Sequence, residues 1–254
     1  MSFKHLILTA AVVIIGAPNI ASAAGDAPHP PSQQWSFSGP FGQYDKAAMQ
    51  RGYKVYREVC AACHSMKRVY FRNLEALGYD ESQIKNIASE YTIEDGPNDE
   101  GDMFERVRLP SDPLPSPFAN SKAAAYANGG AIPPDLSLIT KARANGPNYV
   151  YALLTGYQEP PAGVEVVDGK YWNKYFAGHN ISMAPPLSDG QVGYEDGTPE
   201  TVDQYSRDLV QFLMFAADPH MEARKQAGFR VLMFLFIFAI IMYRVKKKVW
   251  ANAH

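Results

Sequence analysis

The chain has 254 residues, 46% of them hydrophobic and 20% charged, with a formal net charge of −2. These values exclude a disordered chain and suit one globular domain with appendages. The small net charge hides an asymmetry: residues 24–227 hold 18 of the 24 basic and all 26 acidic residues, a net −8, which repels nucleic acid and anionic lipid and would steer a basic partner towards this part of the chain.

At the start, Lys4 and His5 precede an apolar run over residues 6–17, and Ala21-Ser22-Ala23 supplies small residues for cleavage. The run is too short to span a bilayer and is interrupted by Gly16 and Pro18, so residues 1–23 are expected to be a secretory signal peptide and the mature chain to work outside the cytoplasm. Residues 28–40, rich in Pro, Ser and Gly, read as an extended arm pinned by Trp35 and Phe37. A helix is expected from Asp45 as N-cap, with Met49, Gly52, Tyr53, Tyr56, Val59 and Cys63 on one face.

That helix leads into Cys60-Ala61-Ala62-Cys63-His64, which holds the only two cysteines of the chain. In a C-x-x-C-H arrangement two thiols stand one turn apart, where they can add to the two vinyl groups of one haem, and the imidazole beside them can reach the iron. A zinc half-site would need further ligands with regular spacing, whereas His5, His29, His179, His220 and His254 are scattered singly. A redox dithiol of the thioredoxin kind would follow a strand, and the residues before Cys60 look helical. The motif reads as a c-type haem site.

Further on, residues 73–77 and 81–88 look like short helices. The acidic run Glu94, Asp95, Asp99, Glu100, Asp102 and Glu105 reads as a solvated loop, with a docking surface for a cationic protein as the alternative. Prolines exclude helix and central strand over 109–117. Helix is expected over 121–128, again after Pro133-Pro134-Asp135-Leu136-Ser137 as far as Arg143, and over 149–155 up to Gly156. Val164-Glu165-Val166-Val167 with Asp168-Gly169 suggests a hairpin, the one β-structure expected.

A haem held by one histidine needs a second axial ligand if it transfers electrons without binding small molecules, and the choice is among methionine, histidine and vacancy. Met66 is too close to His64, Met233 and Met242 lie in the apolar C-terminal stretch, and Met214 and Met221 fall on predicted helices, where methionine fills core. Met183, in Asn180-Ile181-Ser182-Met183-Ala184-Pro185-Pro186-Leu187, sits on a loop stiffened by two prolines. His179 is its rival. A methionine–histidine pair raises the potential relative to two histidines.

Thr198-Pro199-Glu200 reads as a helix start, with the helix ending near Ala217 and a second one running on from Pro219. Residues 231–243 carry no charge and are followed by Arg244, Lys246, Lys247 and Lys248, so residues 227–245 are expected to be a transmembrane helix. The domain limits expected are therefore signal peptide 1–23, exported haem domain 24–226, membrane helix 227–245 and basic tail 246–254.

Taken together, Val59-Cys60-Ala61-Ala62-Cys63-His64-Ser65-Met66, Asp112-Pro113-Leu114-Pro115-Ser116-Pro117-Phe118, Ala131-Ile132-Pro133-Pro134-Asp135-Leu136-Ser137, Leu153-Leu154-Thr155-Gly156-Tyr157 with Glu159-Pro160-Pro161, and Met183-Ala184-Pro185-Pro186, with the C-terminal anchor, resemble the cytochrome c1 family. The resemblance implies a mostly α fold: a cytochrome c-like haem domain with loop insertions plus one C-terminal transmembrane helix. It implies one covalent haem c on Cys60 and Cys63, His64 and Met183 as axial iron ligands, and Arg143 and Tyr149 near a haem propionate. It further implies an electron-transfer subunit of the bc1 complex, a quinol:cytochrome c oxidoreductase. The partners would be cytochrome b, the Rieske iron–sulfur protein, a cytochrome c acceptor and membrane lipid, within a dimer of multi-subunit protomers. The place implied is the bacterial inner membrane, with the haem domain in the periplasm. Two other readings are an anchored cytochrome c subunit of another oxidase or reductase, and a tethered thiol-disulfide oxidoreductase. Some bacterial relatives brace the methionine loop with an extra cysteine pair, which this chain lacks, and the segment after Arg143 lacks the family's common histidine.

Overall fold

The computed structural model describes residues 27–252; the expected signal peptide lies outside the described residues. Helix α1 (Lys46–Glu58) begins where the Asp45 carboxylate accepts a hydrogen bond from the Ala48 N–H at 3.1 Å, satisfying one of the free donors of the first turn. It passes directly into a 3-10 turn, Cys60–Ala62. A 3-10 helix, Phe71–Leu77, and helix α2 (Glu81–Ser89) follow near the two stretches expected. Asp80 accepts from the Gln83 N–H while the Gln83 side chain accepts from the Asp80 N–H, both at 2.9 Å, a reciprocal cap that starts α2.

The acidic run is not one open loop. Strands β1 (Thr92–Asp95) and β2 (Phe104–Val107) pair antiparallel, Thr92 opposite Val107 and Asp95 opposite Phe104, with the remaining acidic residues at the tip. Arg106 makes this possible by bridging the Asp95 and Asp112 carboxylates, a pairing that no local pattern announces. Helix α3 (Ser121–Ala127) is capped by the Asn120 side chain.

The helix expected up to Arg143 is instead a set of turns, with Ala142 N–H donating to Leu138 O at 2.9 Å. The chain must double back there: Asn145 is left-handed at φ 54, and a Cβ on Gly146 would stand 1.8 Å from the Thr140 carbonyl oxygen. Helix α4 (Gly146–Thr155) starts from this reversal.

Residues 164–167 form no hairpin; the ladder lies later, between β3 (Tyr171–Trp172) and β4 (Asn180–Ile181). The Val167 N–H donates instead to the Asn180 side chain. Helix α5 (Val202–Ala217) begins three residues after the predicted start. Thr201 is its N-cap, and the Glu200 carboxylate is spent on the Tyr194 N–H at 2.8 Å. Helix α6 (Met221–Val249) is continuous, and is long and apolar enough to cross a membrane.

Helices α1 and α5 cross so closely that a Cβ on Gly52 would lie 2.0 Å from the Asp208 carbonyl oxygen. Beside that crossing the Arg51 guanidinium holds the buried Asp208 carboxylate through two hydrogen bonds, 2.8 and 3.0 Å. Tyr205, Leu209, Phe212 and Leu213 of α5 are buried with Met49, Tyr53 and Tyr56 of α1, and each such large side chain contributes about 1.5–3 kcal/mol by leaving water. Because α1 runs into Cys60 without a break, this packing fixes where the cysteine turn stands. Met66, Met214 and Met221 are buried core residues. The arm is pinned by Trp35, whose indole donates to Asn148 at 2.8 Å and whose ring stacks on Phe37 at 5.5 Å.

Asp218, between α5 and α6, joins several segments. Its carboxylate accepts from Lys141 at 2.9 Å and pairs with Arg224, and its carbonyl accepts from the Tyr44 hydroxyl at 2.9 Å.

Candidate functional site

The cysteine turn closes with the Cys63 and His64 N–H groups both donating to the Cys60 carbonyl, at 3.1 and 2.8 Å. Cys60 is half-buried and Cys63 exposed, and both are free thiols. Burial pushes the Cys60 thiol up to about 12, with Cys63 adding to the effect. A nucleophilic thiol needs the opposite shift, so Cys60 is not built as the attacking group of a thiol–disulfide exchange. Among the described residues no group of three or more His, Cys, Asp or Glu side chains could hold a metal ion by itself.

His64 is oriented by the segment after Pro133. Its Nδ1 lies 2.8 Å from the Pro134 carbonyl oxygen; a carbonyl can only accept, so Nδ1 carries the proton and Nε2 keeps its lone pair. Burial lowers the His64 pKa, opposed by the Pro134 carbonyl and by the nearby Asp135 charge, and the neutral ring is the form that can bind a metal. The same segment is stitched along the chain after His64. Leu136 N–H donates to Ser65 O at 2.8 Å, and Asp135 accepts from the Ser65 hydroxyl and the Lys67 N–H, both at 2.9 Å. Burial works against the Asp135 charge, but these hydrogen bonds and those from Ser137 outweigh it and hold the carboxyl below its usual range.

Met183 is held by a separate frame. Helix α4 ends at Gly156, and Tyr157 pairs with Asn173 in an isolated bridge. The Tyr157 hydroxyl then donates to the Met183 carbonyl at 3.0 Å. Asn173 is fully buried; its side chain donates to Leu153 O at 2.7 Å and accepts from the Tyr175 N–H at 3.0 Å. Its backbone carbonyl takes the Nδ1 proton of His179 at 3.1 Å, and the His179 ring stacks on Trp172 with centroids 4.5 Å apart. His179 is thus a built part of the loop frame, at φ 61, while Met183 is half-buried on the proline-stiffened stretch beyond it.

Arg143 is exposed and Tyr149 half-buried. Burial raises the Tyr149 pKa, and the Arg143 cation beside it offsets part of the rise. Burial is also the chief cause of the raised Tyr157 pKa, with the Tyr149 phenol adding to it. Tyr157, Asn173 and the Pro134 carbonyl were not among the site residues expected from sequence. Tyr157 and Pro134 lie inside the motifs Leu153–Tyr157 and Ala131–Ser137; Asn173 carries no local signal at all. Two thiols one turn apart followed by an imidazole with its Nδ1 proton already engaged are the donor chemistry that a covalently held haem takes; the Met183 loop is built separately from them.

Residues 35–253 match the model of the Cytochrome C1 family. The chain belongs to the cytochrome c1 family. Cytochrome c1 of Rhodospirillum rubrum is 48% identical over 98% of this chain and 97% of its own length. Cytochrome c1-2, heme protein, mitochondrial, of Solanum tuberosum is 49% identical over 90% of the chain and 88% of its own length. Cytochrome b/c1 of Bradyrhizobium diazoefficiens is 52% identical over 98% of the chain, which spans 39% of that longer protein. Cytochrome c1 is the haem-carrying subunit of the bc1 complex, and the role of this chain is electron transfer.

Proposed function

We propose that Cys60 and Cys63 hold one covalent haem c, that His64 and Met183 are its two axial ligands, and that the chain passes electrons from the Rieske iron–sulfur protein to a soluble or tethered cytochrome c. The observation that carries this reading is the His64 ring, held at Nδ1 by the Pro134 carbonyl at the end of the C-x-x-C turn. Bound there, haem c supplies a one-electron ferric/ferrous couple.

The chain's own residues do the rest. The α1–α5 packing fixes the cysteine turn, and the Pro134 carbonyl orients His64 and keeps its proton away from Nε2. Tyr157 and Asn173 hold the methionine loop. Arg143 and Tyr149 would supply a cation and a phenol to offset a propionate charge. The thioether and imidazole together favour the reduced state relative to two imidazoles.

The domain limits in this reading are signal peptide 1–23, haem domain 24–226 in the periplasm, membrane helix 227–245 and cytoplasmic tail 246–254 in the bacterial inner membrane. Cytochrome b and the Rieske protein are the partners, in a dimer of multi-subunit protomers, and the complex is the quinol:cytochrome c oxidoreductase. The net −8 of residues 24–227 suits a basic acceptor.

Tagging the chain and extracting it in mild detergent tests the assignment. Quinol-driven cytochrome c reduction, with haem b and iron–sulfur co-purifying and rising salt slowing the acceptor step, is the expected result. Covalent haem without those companions or that activity would refute it.

A further inference from the structure

At the foot of the domain, the turn Pro40-Phe41-Gly42 lies against the start of α6. The Lys225 ammonium donates to the Phe37 and Gly42 carbonyls at 2.7 and 3.1 Å, and the Glu222 carboxylate accepts from the Tyr44 N–H at 2.7 Å. The turn is tight as well as clamped: Gly39 is at φ 73, and a Cβ on Gly42 would lie 2.1 Å from the Ser38 carbonyl oxygen. What this framework displays is an apolar ring. Phe41 is 76% exposed, and its ring meets Phe229 of α6 edge-on, with centroids 6.0 Å apart.

The depth of Phe229 follows from the length of the anchor. The uncharged run 231–243 has 13 residues, about 20 Å of helix at about 1.5 Å per residue, against a hydrocarbon core of about 30 Å. Extension at the C-terminal end meets Arg244 and Lys246 to Lys248, whereas at the other end Ala227, Gly228 and Phe229 are uncharged and only Arg230 intervenes. The long Arg230 side chain can reach back to the headgroups. The shortfall is therefore made up on the Phe229 side, which brings Phe229 to the boundary of the hydrocarbon. Phe41, clamped beside it, shares that level.

We propose that the Phe41 turn is a second membrane contact, a wedge that rests in the lipid interface next to the anchor and meets acyl chains, with Lys225 and Arg230 at headgroup level. This rests on the reading of α6 as a membrane span. Phenylalanine is among the side chains that seat at the boundary of headgroups and acyl chains, and a ring this exposed on a rigid turn gains by leaving water.

The test is photocrosslinking of the full-length chain in its complex, reconstituted in phosphatidylethanolamine and phosphatidylglycerol vesicles with deuterated acyl chains. p-Benzoylphenylalanine replaces Phe41 in one variant, and Phe234 or Phe236, which project from opposite sides of α6, in two others. Retained covalent haem shows that each variant is folded. A deuterated lipid adduct on residue 41, together with one on residue 234 or 236, is the expected result. Lipid adducts at a span position with only protein adducts, or none, at residue 41 would overturn the proposal while leaving the anchor intact. No lipid adduct at either span position would overturn the anchor reading, and the wedge with it.

Discussion

The Tyr157 hydroxyl donates to the backbone carbonyl of Met183 across 3.0 Å. Burial raises the phenol's pKa, so the donor persists through neutral pH. Tyr157→Phe keeps the ring and removes one hydrogen bond, about 1 kcal/mol of restraint on the loop. Haem should remain attached while the midpoint potential falls and the methionine-to-iron charge-transfer absorbance weakens. Redox titration and a visible spectrum check this; values equal to the parent protein would mean that the loop stands without Tyr157.

Met183→Leu should leave the haem covalently bound, lower its potential and stop turnover. His179→Ala should loosen the loop through loss of its bond to Asn173 and its stack on Trp172, yet leave the methionine ligand in place. If the two variants exchange these behaviours in a potentiometric titration, His179 is the ligand.

Replacing Cys60 and Cys63 together by Ala should abolish haem staining on a denaturing gel, and either single change should leave at most one thioether. Haem staining of the double variant at the parent level would remove both residues from the attachment.

Stability towards acid should depend on Asp112. The Arg106 guanidinium holds its carboxyl at about 2, against an ordinary 3.8, although burial works the other way. A depressed folded-state value means that the contribution is present above the ordinary pKa and is lost as pH falls through the folded one. The melting temperature should therefore drop between about pH 4 and about pH 2, and Asp112→Asn, less stable at neutral pH, should show a flatter drop in that window. Parallel curves for the two proteins would sink this account.

Gly52→Ala would force a methyl group onto the Asp208 carbonyl and the Phe212 side chain of α5. Overpacking of this kind costs about 1–3 kcal/mol, sometimes more. The variant should melt several degrees lower by circular dichroism. An unchanged midpoint would show that the helices can separate at little cost.

The parts of this fold legible in the sequence are those whose cause is local. Asp45 starts α1 because its side chain reaches a donor three residues on, and the C-x-x-C-H spacing carries its own chemistry. Causes that reach beyond a single helical turn are not legible there. The acidic stretch hides a hairpin because Arg106 neutralises Asp95 and Asp112 from a different strand and a loop. The turns before α4 replace a helix because Gly146 runs against the Thr140 carbonyl, a contact between backbones. Asn173 looks like any polar loop residue until its partners are seen; in a chain with no spare cysteines, it is this buried amide, with Tyr157, that ties the methionine loop to α4.

The joint at Asp218 ties together two segments that are far apart in the chain. Through Lys141 it holds the stretch that follows the Pro134 carbonyl, and through Arg224 it holds the first turn of α6. One carboxylate thus pairs with both the stretch after Pro134 and the first turn of α6, through lysine and arginine side chains that are largely exposed to water. A bilayer thinner than a membrane span tilts it, and Asp218 is the point at which such a tilt of α6 would first meet the rest of the domain.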